Sequence, residues 1–225
     1  MMYDLEGASA AEPRVLKMSM TLADTRPAGR FFVFEGIDGS GKSTVSRCFA
    51  ERLASTGRPV EWTAEPTSGW MGDQVRRANK EAHSVFAETL LYVADRAEHT
   101  AQIGGWLESG RSVVCDRYVG STLAYQSVTL RPHLGSRALE WLKMLNEPFA
   151  VRPDVTFLLR IDPDRALARL TERKEREKFE KVEFLRKVAA MYDRLAEEDP
   201  SYVVVDASLS LDQVLDKVWS MVVGP

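Results

Sequence analysis

Residues 31–44 read Phe-Phe-Val-Phe-Glu-Gly-Ile-Asp-Gly-Ser-Gly-Lys-Ser-Thr, and this stretch sets the architecture of the chain. Its apolar beginning, 31–34, is continuous rather than alternating, which is typical of a strand whose two faces are both buried. A glycine-rich turn follows. Val45, Phe49 and Leu53 then recur at helical spacing, which predicts a helix with one apolar face. The stretch is therefore a buried strand, a tight turn and a helix.

The turn carries the pattern Gly36-x-x-x-x-Gly41-Lys42-Ser43 of a P-loop, in the strand–helix context that such a loop requires. Glycine permits a backbone whose successive N–H groups point at one phosphate, and the start of the helix adds positive potential. The lysine can reach the β- and γ-phosphates of a nucleotide, and the serine hydroxyl can coordinate Mg²⁺. The predicted ATP-binding residues are Gly36, Ile37, Asp38, Gly39, Ser40, Gly41, Lys42, Ser43 and Thr44.

An acidic residue far along the chain could act together with this loop. Asp116 directly follows the apolar run 112–115, and ligands of open α/β sheets bind at the carboxyl ends of the strands. Together with Ser43 it is the predicted Mg²⁺ site. The alternative is an aspartate that stabilises a turn or caps a helix.

Further apolar runs at 59–62, 112–115, 155–159 and 202–205 alternate with helical patterns at about 84–108, 139–145 and 214–218. Alternation of this kind implies a parallel sheet covered by helices on both faces, with right-handed crossovers. The predicted fold class is α/β: a three-layer P-loop NTPase-type domain with a five-stranded parallel sheet and a helical lid.

Composition narrows the possible partners and location. The formal net charge is −3 in 225 residues, which gives no general attraction to nucleic acid or an anionic membrane. The chain has two cysteines without metal-type spacing, and no apolar run spans a bilayer, so a cytoplasmic location is predicted. Residues 1–29 lack the apolar core of a secretory signal and are predicted to form a flexible tail before a domain at 30–225.

The acceptor of the phosphoryl group is indicated by other motifs. No Asn-Lys-x-Asp motif, which reads guanine in GTPases, occurs in the chain, and this favours a small acceptor kinase. The segments 31–53, 65–67, 90–99, 116–126 and 153–163 recur, in order and at similar spacing, in thymidylate kinases. The chain resembles that family over about residues 31–223.

The resemblance implies ATP- and Mg²⁺-dependent phosphorylation of dTMP to dTDP by a homodimer. It implies that Asp38 lies near the acceptor 3′-hydroxyl, that Arg96 and Arg117 hold the monophosphate, and that Tyr92, where phenylalanine is usual, stacks on the base. The full implied dTMP site is Asp38, Glu65, Tyr92, Arg96, Arg117, Ser121, Thr122, Tyr125 and Gln126. Thr122 aligns with the contact to the pyrimidine edge, and Tyr125 with the ring that crowds the 2′ position.

Plainer interpretations stay open for several of these residues. Asp38 would otherwise stabilise the loop, Tyr92 would be a core aromatic, and Glu65-Pro66 would be an ordinary turn. Arg96 and Arg117 would be surface ion pairs, the commoner fate of a lone arginine.

The run 171–187 is dense in charges of both signs and would ordinarily be a solvated helix. It lies at the family's lid position, about 169–182. One branch of the family has an arginine inside the P-loop where this chain has Gly39, so the positive charge is expected from the lid. The candidates are Arg169, Arg173 and Arg176, with the last two favoured. The predicted catalytic residues are Asp38, Lys42, Arg117, Arg173 and Arg176.

Two other functions remain possible on the same residues. One is a kinase of another nucleoside monophosphate such as dUMP. The other is a nucleotide sensor without phosphoryl transfer, although a sensor needs no second phosphate site.

Overall fold

The computed structural model describes residues 29–81, 84–169 and 175–223, with the side chains of 175–180 and 223 outside that description. The predicted tail, except Gly29, therefore lies outside the described residues. The predicted lid is described only in part.

The described chain contains a five-stranded sheet in the order β2-β3-β1-β4-β5, and every pairing is parallel. The strands are β1 (Phe31–Glu35), β2 (Val60–Ala64), β3 (Ser112–Asp116), β4 (Val155–Arg160) and β5 (Tyr202–Asp206). The predicted fold class is confirmed. β2 extends to Ala64, beyond the predicted 59–62, because Thr63 and Ala64 pair with Cys115 and Asp116.

Helices connect the strands. They are α1 (Lys42–Ala54), α2 (Trp70–Ala78), α3 (Val85–Glu108), α4 (Val119–Leu134), α5 (Ala138–Asn146), α6 (Pro163–Ala168), α7 (Glu175–Glu198) and α8 (Leu211–Val223), with a short 3-10 turn at Gly135–Arg137. The helical patterns at about 84–108, 139–145 and 214–218 correspond to α3, α5 and α8. The charged run enters α7, where Val182 and Leu185 are buried, so this helix buries one face in the part whose side chains are described.

Three phenylalanine rings fix the P-loop on the sheet. Phe49 of α1 lies 5.5 Å from Phe34 of β1 and 6.0 Å from Phe157 of β4, measured between ring centroids. All three side chains are fully buried, and each buried aromatic contributes a large apolar area to the core. Because α1 is held directly against β1 and β4, the loop that joins β1 to α1 has a fixed position.

The parallel register brings the two halves of the predicted site to one edge. Phe34 near the end of β1 pairs with Asp116 at the end of β3. The P-loop leaves the sheet one residue after Glu35, directly beside the residues that follow β3. Both segments therefore meet at the carboxyl edge, where ligands of such sheets bind.

Candidate active site

The P-loop adopts backbone conformations that need glycine. Gly36, Gly39 and Gly41 have φ values of 141°, 83° and 90°, a region that costs residues with a side chain about 1–2 kcal/mol. Gly39 is constrained further, because a Cβ there would lie 2.2 Å from the Ala166 carbonyl oxygen of α6. The packing of α6 thus leaves no room for a side chain at the position where one branch of the resembled family has an arginine.

Replacing Gly39 by alanine should therefore destabilise the protein more than a positive φ alone explains. The matched control is Gly57→Ala, because Gly57 has φ 84° and nothing within 4 Å of its added Cβ. The control should cost about 1–2 kcal/mol in urea unfolding, while Gly39→Ala costs more and also weakens ATP binding in calorimetry. Equal losses in both variants would show that the contact with Ala166 is unimportant.

Lys42 is buried inside the loop that it serves. Its Nζ donates a hydrogen bond of 2.8 Å to the Ile37 carbonyl oxygen and lies 3.5 Å from Ser40 Oγ. Burial, with the nearby positive charge of Arg117, lowers the pKa of this lysine to about 7, while Asp116, Asp38 and Glu35 oppose the shift. Near neutral pH the ligand-free protein therefore contains a mixture of ammonium and neutral amine.

Binding of MgATP should consequently take up a proton at pH 8. The amine is mostly neutral there, and the nucleotide's phosphates favour its charged form. Calorimetry in buffers of different ionisation enthalpy should give an uptake of about one proton per site, and Lys42→Met should abolish it. An uptake unchanged in Lys42→Met would assign the proton to another group. Because the folded pKa of about 7 lies below the ordinary 10.5, this lysine also makes stability rise with pH between these values.

Asp116 and Ser43 are hydrogen-bonded to each other beside the P-loop. Asp116 is buried at the end of β3, and its Oδ2 accepts a short hydrogen bond from Ser43 Oγ. Its Oδ1 is buried and has no hydrogen-bond partner among the described residues. A hydroxyl and an unpaired carboxylate oxygen fit a hard cation such as Mg²⁺, which prefers oxygen ligands.

The described segments contain no group of three or more His, Cys, Asp or Glu residues that could hold a metal. A Mg²⁺ ion at Ser43 and Asp116 would therefore need further oxygen ligands from nucleotide phosphates and water, which is how this ion is commonly bound.

Asp38 and Arg117 join the P-loop to the start of α4. Arg117 Nη2 donates a 2.6 Å hydrogen bond to Asp38 Oδ1, and Nη1 lies 3.1 Å from Ser121 Oγ. The Asp38 N–H in turn donates to the Tyr125 hydroxyl at 3.0 Å. The structure thus brings Asp38, Arg117, Ser121 and Tyr125 together, although they are separated widely in sequence.

Arg117 also has an unusual backbone. Its φ is 70°, and no other non-glycine residue in the described part of the chain has a positive φ. Such a conformation costs of order 1–3 kcal/mol and persists only where the surroundings enforce it. The side chain retains 20% exposure, so the guanidinium is restrained and still accessible to a ligand.

Arg96 is in a different situation. Its side chain is 1% exposed, and Nε and Nη2 bond Glu65 Oε2 at 2.9 and 2.6 Å. Nη1 bonds the Asn146 side chain at 3.0 Å, and Glu65 also contacts His99. In this arrangement Arg96 and Glu65 form a buried ion pair rather than a surface one, and contact of either residue with dTMP stays a prediction.

The residues expected around the base lie on α3 and α4. The Tyr92 hydroxyl exchanges hydrogen bonds with the Asn79 side chain at 2.9 and 3.2 Å, so the extra oxygen of this tyrosine has a partner. Thr122 and Gln126 are buried on α4. Thr122 Oγ1 lacks a hydrogen-bond partner within the described ranges, and its contact with a ligand stays a prediction.

A thymidylate kinase family model matches residues 34–218 of this chain. The chain belongs to the thymidylate kinase family. The probable thymidylate kinase of Methanosarcina barkeri is 42% identical over 193 residues, which cover 84% of this chain and 94% of the relative. That of Thermococcus kodakarensis is 37% identical over 206 residues, covering 85% and 96%. That of Methanocaldococcus jannaschii is 38% identical over 190 residues, covering 84% and 93%.

In this thymidylate kinase family member, the structure describes one of the three candidate lid arginines fully and the other two in part or not at all. Arg173 lies outside the described residues, and Arg176 lies in α7 with its side chain outside the description. Arg169 follows α6, and its Nη1 lies 3.4 Å from the Gly39 carbonyl oxygen while Nη2 bonds that of Ala207 at 3.1 Å. Of the three candidates, the structure shows only this one against the P-loop.

Glu35, the last residue of β1, was not among the predicted site residues. It is fully buried next to the thymidylate kinase P-loop, and burial raises the pKa of its carboxyl. The sequence did contain a signal for this residue, because a glutamate ends an otherwise apolar strand directly before Gly36. Such a position is expensive for a charged side chain unless it is hydrogen-bonded.

None of the helices in the described segments combines the length and apolar character needed to cross a membrane.

Proposed function

We propose that this protein transfers the γ-phosphoryl group of ATP to dTMP and so forms dTDP. The observation that carries the proposal is the 2.6 Å contact between Arg117 and Asp38, in a chain of the thymidylate kinase family. It joins an accessible cation, suited to a monophosphate, to the loop that is suited to the triphosphate. The donor site and the acceptor site would then be adjacent, with this ion pair between them.

In this reaction a phosphate oxygen of dTMP attacks the γ-phosphorus of ATP. The new O–P bond forms while the bond to the β–γ bridging oxygen breaks, and ADP leaves with that electron pair. No covalent enzyme intermediate is needed, so catalysis comes mainly from positioning and charge stabilisation. Lys42 and the P-loop N–H groups hold the β- and γ-phosphates, Arg117 holds the acceptor phosphate, and Asp38 orients the sugar.

Ser43 and Asp116 would hold Mg²⁺ together with the nucleotide. The ion supplies neutralisation of charge on the phosphates when it is bound. Asp116 Oδ1, which has no hydrogen-bond partner among the described residues, supports this assignment.

The dTMP pocket proposed here consists of the residues that the family resemblance assigned. Tyr92 stacks on thymine, Thr122 bonds the pyrimidine edge, and Tyr125 crowds the 2′ position. Ser121 and Gln126 line the pocket from α4, and Glu65 and Arg96 from the opposite side. Arg173 and Arg176 are proposed to add charge from a lid at about 169–182, which assigns the protein to the branch without a P-loop arginine.

The decisive experiment is an acceptor panel with the purified protein, assayed for ADP release with MgATP. We expect the highest kcat/KM with dTMP, and lower values with dUMP, dCMP, UMP and GMP. A higher kcat/KM for another monophosphate would replace the proposed acceptor. Tight ATP binding without acceptor-dependent turnover would instead support a nucleotide sensor.

We also propose a homodimer, located in the cytoplasm. Leu90 on α3 and Met144 on α5 are 47% and 63% exposed, and these helices pack against each other. Apolar side chains on adjacent helices are suited to cover each other across a two-fold axis. Light scattering coupled to gel filtration should give twice the chain mass of 25.3 kDa, and a monomer at assay concentration would contradict the dimer.

A further inference from the structure

Glu35 is the buried centre of a hydrogen-bond network behind the acceptor site. Its Oε1 accepts hydrogen bonds of 2.9 Å from the backbone N–H groups of Tyr118 and Ser121. Its Oε2 accepts bonds from the hydroxyls of Ser121 at 2.6 Å and Tyr192 at 2.8 Å. The carboxylate thereby binds the first turn of α4, through its backbone and through one side chain, and also α7.

The backbone of α4 leaves space for this carboxylate. A Cβ on Gly120 would lie 2.9 Å from Glu35 Oε1 and 2.6 Å from the Tyr202 hydroxyl oxygen. A residue larger than glycine at position 120 would therefore clash with the Glu35 carboxylate. Contact this close means that a displacement of Glu35 has to move α4 as well.

Both groups that Glu35 binds on α4 are directly connected to Arg117. Tyr118 is its neighbour in the chain, so the hydrogen bond to the Tyr118 N–H restrains the backbone on the carboxyl side of the strained residue. Ser121 Oγ accepts from Arg117 Nη1 at 3.1 Å while it donates to Glu35. The negative charge of Glu35 also attracts the guanidinium. Arg117 is thus held through its backbone, its side chain and its charge.

We propose that Glu35 and Tyr192 are positioning residues for the acceptor half of the site, with Glu35 fixing Arg117 and Tyr192 tying α7 to the same carboxylate. This inference rests on the proposed function, since it assigns Arg117 to the acceptor phosphate. Its consequence is mechanical. Helix α7, which follows the predicted lid, and Arg117, which faces Asp38, are both held by the Glu35 carboxylate. A shift of α7 at Tyr192 is therefore transmitted to Arg117.

Two conservative variants test the proposal. Tyr192→Phe keeps the ring, which packs 6.4 Å from that of Tyr125, and removes only the hydroxyl. Glu35→Gln keeps the shape and removes the charge. The matched control is Thr89→Val, since that buried hydroxyl donates to the Val85 carbonyl oxygen within α3 at 2.7 Å and Thr89 is not among the proposed site residues.

In both test variants kcat/KM for dTMP should fall about tenfold or more, as expected when about 1.4 kcal/mol of positioning is lost from the barrier. The KM for ATP should stay within about twofold, because the P-loop contacts of Lys42 are untouched. Thr89→Val, which also removes one buried hydroxyl, should leave kcat/KM for dTMP unchanged. If Glu35→Gln does not fold, Tyr192→Phe alone decides the question.

A second readout does not depend on turnover. The NMR resonance of the Arg117 side-chain Nε–H should shift in Tyr192→Phe and Glu35→Gln, and stay in place in Thr89→Val. Test variants that lose only melting temperature, with an unmoved Arg117 resonance and full kcat/KM for dTMP, would overturn the proposal. A wild-type protein that does not phosphorylate dTMP would refute the proposed function, and the resonance would still decide whether Glu35 and Tyr192 position Arg117.

Discussion

Replacing Lys42 by alanine is expected to lower kcat for dTMP phosphorylation at least about a hundredfold, the effect of losing one preorganised electrostatic group. The ammonium of Lys42 lies against the Ile37 carbonyl oxygen at 2.8 Å, inside the curve of the P-loop. It is therefore already oriented where the β- and γ-phosphates would lie. Because an interaction with the transferring group strengthens in the transition state, kcat should fall more than the affinity for ATP.

The control for this variant is Lys217→Ala on α8, where the lysine is exposed. It removes the same side chain without touching the sheet edge and should leave both kcat and the KM for ATP unchanged. Steady-state assays at saturating dTMP, with circular dichroism to verify the fold, provide the measurement. Near-normal turnover of a folded Lys42→Ala protein would remove Lys42 from the proposed mechanism.

Replacing Arg117 by alanine is expected to reduce kcat/KM for dTMP by about 10²–10³-fold. The guanidinium is restrained by Asp38, by Ser121 and by the Gly36 carbonyl oxygen at 3.4 Å, so its position is set before a ligand binds. A preorganised planar donor suits a monophosphate better than a flexible ammonium does. Arg117→Lys should therefore recover only part of the loss.

Arg111→Ala is the matched control for this second variant. Arg111 lies just before β3, 50% exposed, in an ion pair with Glu61, and exposed pairs contribute at most about 1 kcal/mol to stability. Its removal should leave kcat/KM for dTMP within experimental error. If Arg117→Ala retains wild-type kcat/KM for dTMP while the KM for ATP rises, Arg117 serves the nucleotide donor instead of the acceptor.

The parts of the fold that sequence reveals are those in which local chemistry and burial agree. The P-loop was predictable because glycine adopts φ values such as 83° at Gly39 and 90° at Gly41 without the steric cost that other residues incur. The strands were predictable because central parallel strands are apolar on both faces, as the fully buried pattern of β1 shows.

Helix α4 was not predicted, for a physical reason. It buries Thr122, Gln126 and Ser127 along with its apolar residues, so its apolar side chains show no clear helical period. Helix α7 was obscured in the opposite way, because charged residues dominate the sequence from 171 to 187 and conceal buried residues such as Leu185.

The buried environment of Arg96 shows the limit of motif reasoning. The resemblance implied a ligand of the monophosphate, and the alternative was a surface ion pair. Its actual partners, Glu65 and Asn146, lie 31 and 50 residues away in sequence and become neighbours only when α3 packs against the other elements. No pattern local to residues 90–99 contains that information.

The register between β1 and β3 has a kinetic consequence. Ser43 and Asp116 are 73 residues apart in the chain, and Asp38 and Arg117 are 79 apart. Contacts of such sequence separation require a large loop to close before they yield any stabilisation, so they form slowly compared with local helices. A chain emerging from the ribosome can curl its P-loop early, yet it lacks Asp116 and Arg117 until β3 has been synthesised and has docked. The contacts of Ser43 with Asp116 and of Asp38 with Arg117 therefore form only after β3 has docked beside β1.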